Sequence, residues 1–252
     1  MRRTSLWSAL LTAIGLLALS PASDARDLSL EDVLSRYEKA RGGKAWEQTQ
    51  VLKIRSEVSA FGVTVLSTEY KRRPSQYRIS AHPKARKHPA SLIVFDGRRG
   101  YWTGFGKEPS RQVIPENELQ GFLESADFDG PLTNWKAKAH RVALLGREFV
   151  GRREAWLVEA MLKSGTLLHV YLDVETYLPI KKVSKSPNFN SEVITLLRDY
   201  RKVDGLMIAH RREIHRPDAL DGDKGSENHD VLEVEVNPTE ATEAFFRFEP
   251  GK

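Results

Sequence analysis

The chain has 252 residues, 40% of them apolar and 29% charged, and a net charge of +5. That length and apolar share support one large β domain or two small ones and exclude a disordered chain. There is no cysteine, which excludes a disulfide scaffold, thiolate metal sites, a cysteine nucleophile and a lipid-modified N-terminal cysteine.

Residues 1–25 read as a secretory signal. Arg2 and Arg3 form a charged start, Leu6 to Leu19 is an apolar run too short to span a membrane comfortably, and Ser23-Asp24-Ala25 offers a small-residue cleavage site. Residues 26–252 are then the exported chain. A helix follows at once. Ser29 and Asp32 have the spacing of a capping box, Leu30, Val33, Leu34, Tyr37 and Ala40 share one face, and Gly42-Gly43 ends the helix. Such a stripe suits a helix closing one end of a barrel, and equally one that plugs a lipid cavity. Trp46 is expected in a short helical turn after it.

From Gln50 the period becomes two. Leu52, Ile54 and Val58 alternate with Lys53, Arg55 and Glu57, and a Phe61-Gly62 turn leads to a second strand. On that strand Val63, Val65 and Ser67 share one face, and Leu66 and Tyr70 the other. Further strands are expected at Tyr77–Ser80, at Leu92–Phe95 and, after the Asp96-Gly97 turn, at Tyr101-Trp102. No acid occurs between Glu69 and Asp96, whereas Lys71, Arg72, Arg73, Arg78, Lys84, Arg86 and Lys87 all do. Such a block draws anions. Nucleic acid does not suit an exported protein, so lipid headgroups or an acidic partner are the expected targets of Arg72, Arg73 and Arg78. A merely solvated strand face accounts for the block as well.

Pro115 to Phe128 is the second helix, with Leu119, Phe122, Leu123 and Ala126 on one side and Gly121 weakening it by about 1 kcal/mol. It suits a lid and a fixed core helix alike. Strands then follow one another. Trp156, Val158, Ala160 and Leu162 share a face. The stretch Tyr171–Val183 reads as strand, turn and strand, with Asp173 and Glu175 facing water in the turn and Pro179 opening the second strand at an edge or a bulge. Asp204-Gly205 is a two-residue hairpin turn, and Leu232, Val234 and Val236 form a late strand. The total is roughly ten or eleven strands and two main helices, and with no linker residues 26–252 are expected to form one domain.

No catalytic constellation stands out, and no HExxH, GxSxG or phosphate loop occurs. His210 and His215 fall on opposite faces of a strand. The acids Asp218, Asp221, Asp223 and Glu227 lack EF-hand spacing. Neither enzyme activity, metal nor cofactor is expected.

Several motifs in order resemble the periplasmic lipoprotein carriers, the LolA-like proteins and their outer membrane lipoprotein-sorting relatives. They are Tyr70-Lys71-Arg72-Arg73-Pro74 with Tyr77-Arg78, Phe95-Asp96-Gly97 with Tyr101-Trp102, Tyr171-Leu172-Asp173 with Leu178-Pro179-Ile180, and Val236-Asn237-Pro238 with Phe245 to Pro250. The resemblance implies an incompletely closed antiparallel barrel, a curved sheet whose concave face is covered by helices, with acyl chains held between them. Leu34, Tyr37, Leu119, Phe122, Leu123, Trp156, Val158 and Leu172 are then expected in the cavity wall or its lid. The implied partners are lipoprotein or lipid cargo, with an inner-membrane exporter or an outer-membrane acceptor. The alternative is a periplasmic lipid sensor or scaffold that binds a partner protein, its cavity filled by side chains.

Overall fold

The computed structural model describes residues 28–60, 62–84, 91–104, 111–187, 192–216 and 226–247. The expected signal segment, the loop cations Arg86 and Lys87, and the acids Asp218, Asp221 and Asp223 lie outside them. Within them the chain forms one antiparallel sheet of thirteen strands. The first six are β1 (Val51–Ala60), β2 (Val63–Arg72), β3 (Gln76–Pro83), β4 (Ser91–Phe95), β5 (Gly100–Thr103) and β6 (Arg111–Val113). The other seven are β7 (Arg141–Val150), β8 (Arg153–Met161), β9 (Leu167–Asp173), β10 (Pro179–Lys185), β11 (Glu192–Val203), β12 (Leu206–His215) and β13 (Ser226–Val236). Each run is a meander, and β13 returns to pair with β1, which joins the two halves through Leu52↔Val236 and Ile54↔Val234. β6 and β7 are the two ends of the sheet order, so the barrel stays open.

Local chemistry sets the turns. Asp204 and Gly205 take φ of 47° and 88° between β11 and β12, the backbone that a two-residue hairpin requires. A Cβ on Gly205 would stand 2.8 Å from that of Ala45, so this turn is also a docking point. The central hairpin is as expected in its bulge, since the register shifts between Pro179 and Lys181, where proline has no N–H to give. Asp173 departs from expectation. It does not face water but is 3% exposed. It accepts from the N–H of Glu175 and Thr176, the Thr176 hydroxyl and Arg153, so the turn is built around its carboxylate. Leu232 lies in β13 as expected, but outside the alternation of Val234 and Val236. It falls between Glu233 and Val231 where the β1–β13 register slips, and a bulge residue turns out of the alternation. It is exposed, and Val231 takes the inward place.

Three helices lie against the concave face. α1 (Leu30–Ala40) starts with the expected capping box, Ser29 and Asp32 satisfying each other's backbone N–H. Its Val33 and Leu34 are buried against Trp156, Val158, Ala160, Val170 and Leu172 of β8 and β9. Each such side chain contributes about 1.5–3 kcal/mol on burial. α2 (Lys44–Gln48) holds Trp46, as expected. α3 (Leu119–Ala126), entered through a 3₁₀ turn at Glu116–Glu118, packs Leu119 and Phe122, with Tyr77, on the cluster of Phe95, Ile114 and Ala126. The opposite face of β1 and β2 is closed by Phe245 and Phe246 over Val51 and Tyr70.

Candidate ligand cavity

Period-two alternation carried across the register shows which side chains look inward. Leu52 and Ile54 of β1 stand opposite Lys71 and Glu69 of β2, and Glu69 stands opposite Ile79 of β3. Ile79 continues through Ile93 to Trp102. On the other half, Val170 stands opposite both Val158 and Lys182, and Lys182 opposite Thr195. The concave surface therefore mixes apolar rows with charges at its centre.

There the structure leaves a cavity of about 220 Å³ between the sheet, α1, α2 and Phe128. Leu52, Ile54, Phe128, Leu178, Leu197 and Ile208 supply apolar walls, with Tyr37 of α1 beside them. Ligand pockets for drug-sized molecules run about 300–1,000 Å³, so a whole acyl chain enters only if the walls give.

Arg41, Glu69, Lys71, Lys182 and Arg212 also line it. Arg41 is 5% exposed. It donates to the Asp129 carbonyl and Thr133 hydroxyl at 2.6 and 3.0 Å and lies 4.2 Å over the Trp46 ring. Arg73 donates to the Trp46 and Thr49 carbonyls and to the Asp129 carboxylate, and stacks on Phe128. Burial works to raise the Asp129 carboxyl, but donation from Arg73 and Trp46 outweighs it and holds the carboxyl below its ordinary range. Glu69 is similar. Burial opposes its charge, and Lys71 at 3.8 Å and Arg212 at 3.6 Å, with His229, keep it ionised. Lys71 also donates to the Ser125 carbonyl at the end of α3. Lys182 differs from all of these. Among the described residues it has neither hydrogen-bond acceptor nor ion-pair partner. Burial, with Lys71, Arg212 and Arg41 nearby, pushes its ammonium down to about 8.

Of the residues expected in a cavity wall or lid, Tyr37 lines this space. Trp156, Val158 and Leu172 form the core under α1, and Leu34 joins them while also lining a separate space of about 450 Å³ beside Leu132 and Trp135. Leu119 and Phe122 pack on Phe95, and Leu123 is 37% exposed. The three docking arginines do not stand together. Arg73 is spent inside, as above. Arg78 lies over the Phe245 ring and donates to its carbonyl, and Arg72 donates to Gln76. His210 and His215 stay apart, on the Ile208 carbonyl and the Ser226 hydroxyl. The inward charges are what sequence reasoning missed. The available sign was the alternation of Val65, Ser67, Glu69 and Lys71 on one face, and the adjacent pair Lys181-Lys182, of which one must look inward.

No family profile matches this sequence, and no curated protein matches it. Solved structures do. A LolA superfamily protein from Nitrosomonas europaea is 11% identical, over 88% of this chain and 98% of its own, with a TM-score of 0.59. A protein from Vibrio parahaemolyticus described as an outer membrane lipoprotein-sorting domain is 11% identical over 83% and 92%, with a TM-score of 0.56. A DUF1329 family protein from Desulfovibrio piger is 12% identical over 86% and 95%, at 0.57. The fold is therefore LolA-like, an open curved barrel with helices on its concave side, as expected.

Proposed function

We propose that this protein is an exported, non-enzymatic carrier that shields acyl chains of lipids or lipoproteins in its concave face, for transfer towards the outer membrane. One observation carries the reading: the sheet stays open, and its centre is an apolar-walled cavity rather than a packed core. Its fold is shared with a domain described as lipoprotein-sorting. The row Ile79, Ile93 and Trp102 lengthens the apolar track, and Trp102 remains 37% exposed. Residues 1–25 serve as the export signal, and an inner-membrane exporter and an outer-membrane acceptor would be its partners.

The small size of the cavity favours a second reading, a lipid sensor or scaffold that binds a partner protein through its surface. Extraction of the purified protein followed by mass spectrometry separates the two. Co-purified lipid, displaced by added fatty acid, supports the carrier. Protein free of lipid that also ignores an apolar fluorescent probe overturns it. N-terminal sequencing of periplasmic material tests cleavage after Ala25.

A further inference from the structure

The cavity holds a cation that none of the described residues neutralises. Arg41 and Arg73 are matched by Glu38 and Asp129, and Glu69 is shared by Lys71 and Arg212. Lys182 is left over. Its position is well defined, since its strand neighbours Val170 and Thr195 fix which way it points. On β12, Arg212 stands opposite Leu197, two strands across from Lys182 and two residues along from Ile214, the residue in line with Lys182, which is about 12 Å off at ordinary strand geometry. Two long cationic side chains on β10 and β12 thus converge on one space from either side of β11, and Lys71 approaches from β2. A half-buried ammonium set among other cations without a counter-charge is unfavourable in the unliganded protein. It becomes favourable when an anion arrives, because a charge-assisted hydrogen bond is about twice as strong as a neutral one.

We infer that the cavity takes a single-chain anionic amphiphile head inward, its carboxylate or phosphate received by Lys182 with Lys71 and Arg212, its tail against Leu52, Ile54 and Phe128. This rests on reading the site as a lipid cavity and names the cargo class. A free acid or a lipid phosphate satisfies the charge. The glyceride anchor of a lipidated protein has no anionic head to put there, and a space of about 220 Å³ does not admit several chains.

The test displaces an uncharged apolar fluorescent probe from the full chain at pH 7. The competitors are dodecanoate, dodecyl phosphate, dodecanol and, for the free ion, acetate. The two anionic amphiphiles are expected to displace the probe at concentrations at least about tenfold lower than dodecanol, and acetate not at all. Whichever anion acts at the lower concentration identifies the head. Lys182→Met should bring the anions to within about threefold of dodecanol and leave dodecanol unchanged, and Lys182→Arg should keep the preference. Equal displacement by anions and alcohol in the wild type overturns the inference and leaves the carrier reading standing. A preference that survives Lys182→Met, or displacement by acetate alone, overturns it too. A wild type that releases the probe to none of the amphiphiles overturns the carrier reading itself, and the inference falls with it.

Discussion

Two parts of one concave surface have opposite characters. Under α1, strands β7 to β9 are filled solid, and Val33, Val158, Ala160 and Leu172 are all fully buried. At the middle of the sheet, around β1, β2, β10 and β12, the same alternation delivers Glu69, Lys71, Lys182 and Arg212 beside Leu52 and Ile54. The first part does what a core does. The second leaves space and holds a cation that no described acid matches, which no stability argument requires. The solid wing is packed as a core, while the open centre keeps the space that the proposed ligand would fill.

The largest effect should come from the solid wing. Leu172→Ala removes a fully buried side chain and should cost about 3–4 kcal/mol in chemical denaturation. Dodecanoate affinity should stay unchanged. Lost affinity at full folding would mean that the two parts are not separable.

Asp129→Asn comes next. It leaves Arg73 and Arg41 without their shared carboxylate, at a cost of about 2–3 kcal/mol, below the figure for a fully buried pair because Asp129 is 20% exposed. The sign with pH follows from its lowered pKa. The contribution is present above the ordinary aspartate range and is lost as pH falls through the folded-state value. Wild type should therefore lose stability on acidification below about pH 4 more steeply than Asp129→Asn, as read from urea midpoints.

Lys182→Met should act in the other direction, stabilising the unliganded protein by about 3 kcal/mol at pH 7. Its folded pKa of about 8 lies below the ordinary 10.5, so the penalty is full below pH 8. It fades between pH 8 and 10.5 as the ammonium, faced by Lys71, Arg212 and Arg41, gives up its proton. The gap between variant and wild type should close across that window. A variant less stable than wild type at pH 7 would show that Lys182 is part of the scaffold.

The smallest effect sharpens the boundary between the two parts. Phe122 packs 6.2 Å from Phe95 at the foot of α3, whose last turn receives Lys71. Phe122→Ala should cost about 1–2 kcal/mol, since the ring is only partly buried. If α3 is a lid that competes with ligand, the same change tightens retention of a fluorescent fatty acid. Weakened retention together with a lower melting temperature would falsify the lid and make α3 a wall.

Much of the architecture was legible in the residues. The Ser29–Asp32 box, the Asp204-Gly205 turn and the strand alternation from Leu52 onward are local rules, satisfied by neighbours within four residues or by a period of two. Asp173 escaped because its partner Arg153 lies 20 residues away, and a turn carboxylate looks solvated until that strand arrives. The bulge at Leu232 was not legible, because a bulge is decided by the partner strand. The cavity was the least legible. Alternation alone determined that Glu69 and Lys71 share a face, and that Lys181 and Lys182 point opposite ways. Only the tertiary structure decided that this face is the inner one, that β13 closes onto β1, and that Lys182 is left without an acid among the described residues. Which side of a strand is inside, and which charges meet, depends on contacts between residues more than a hundred positions apart, and those are settled only when the sheet curves.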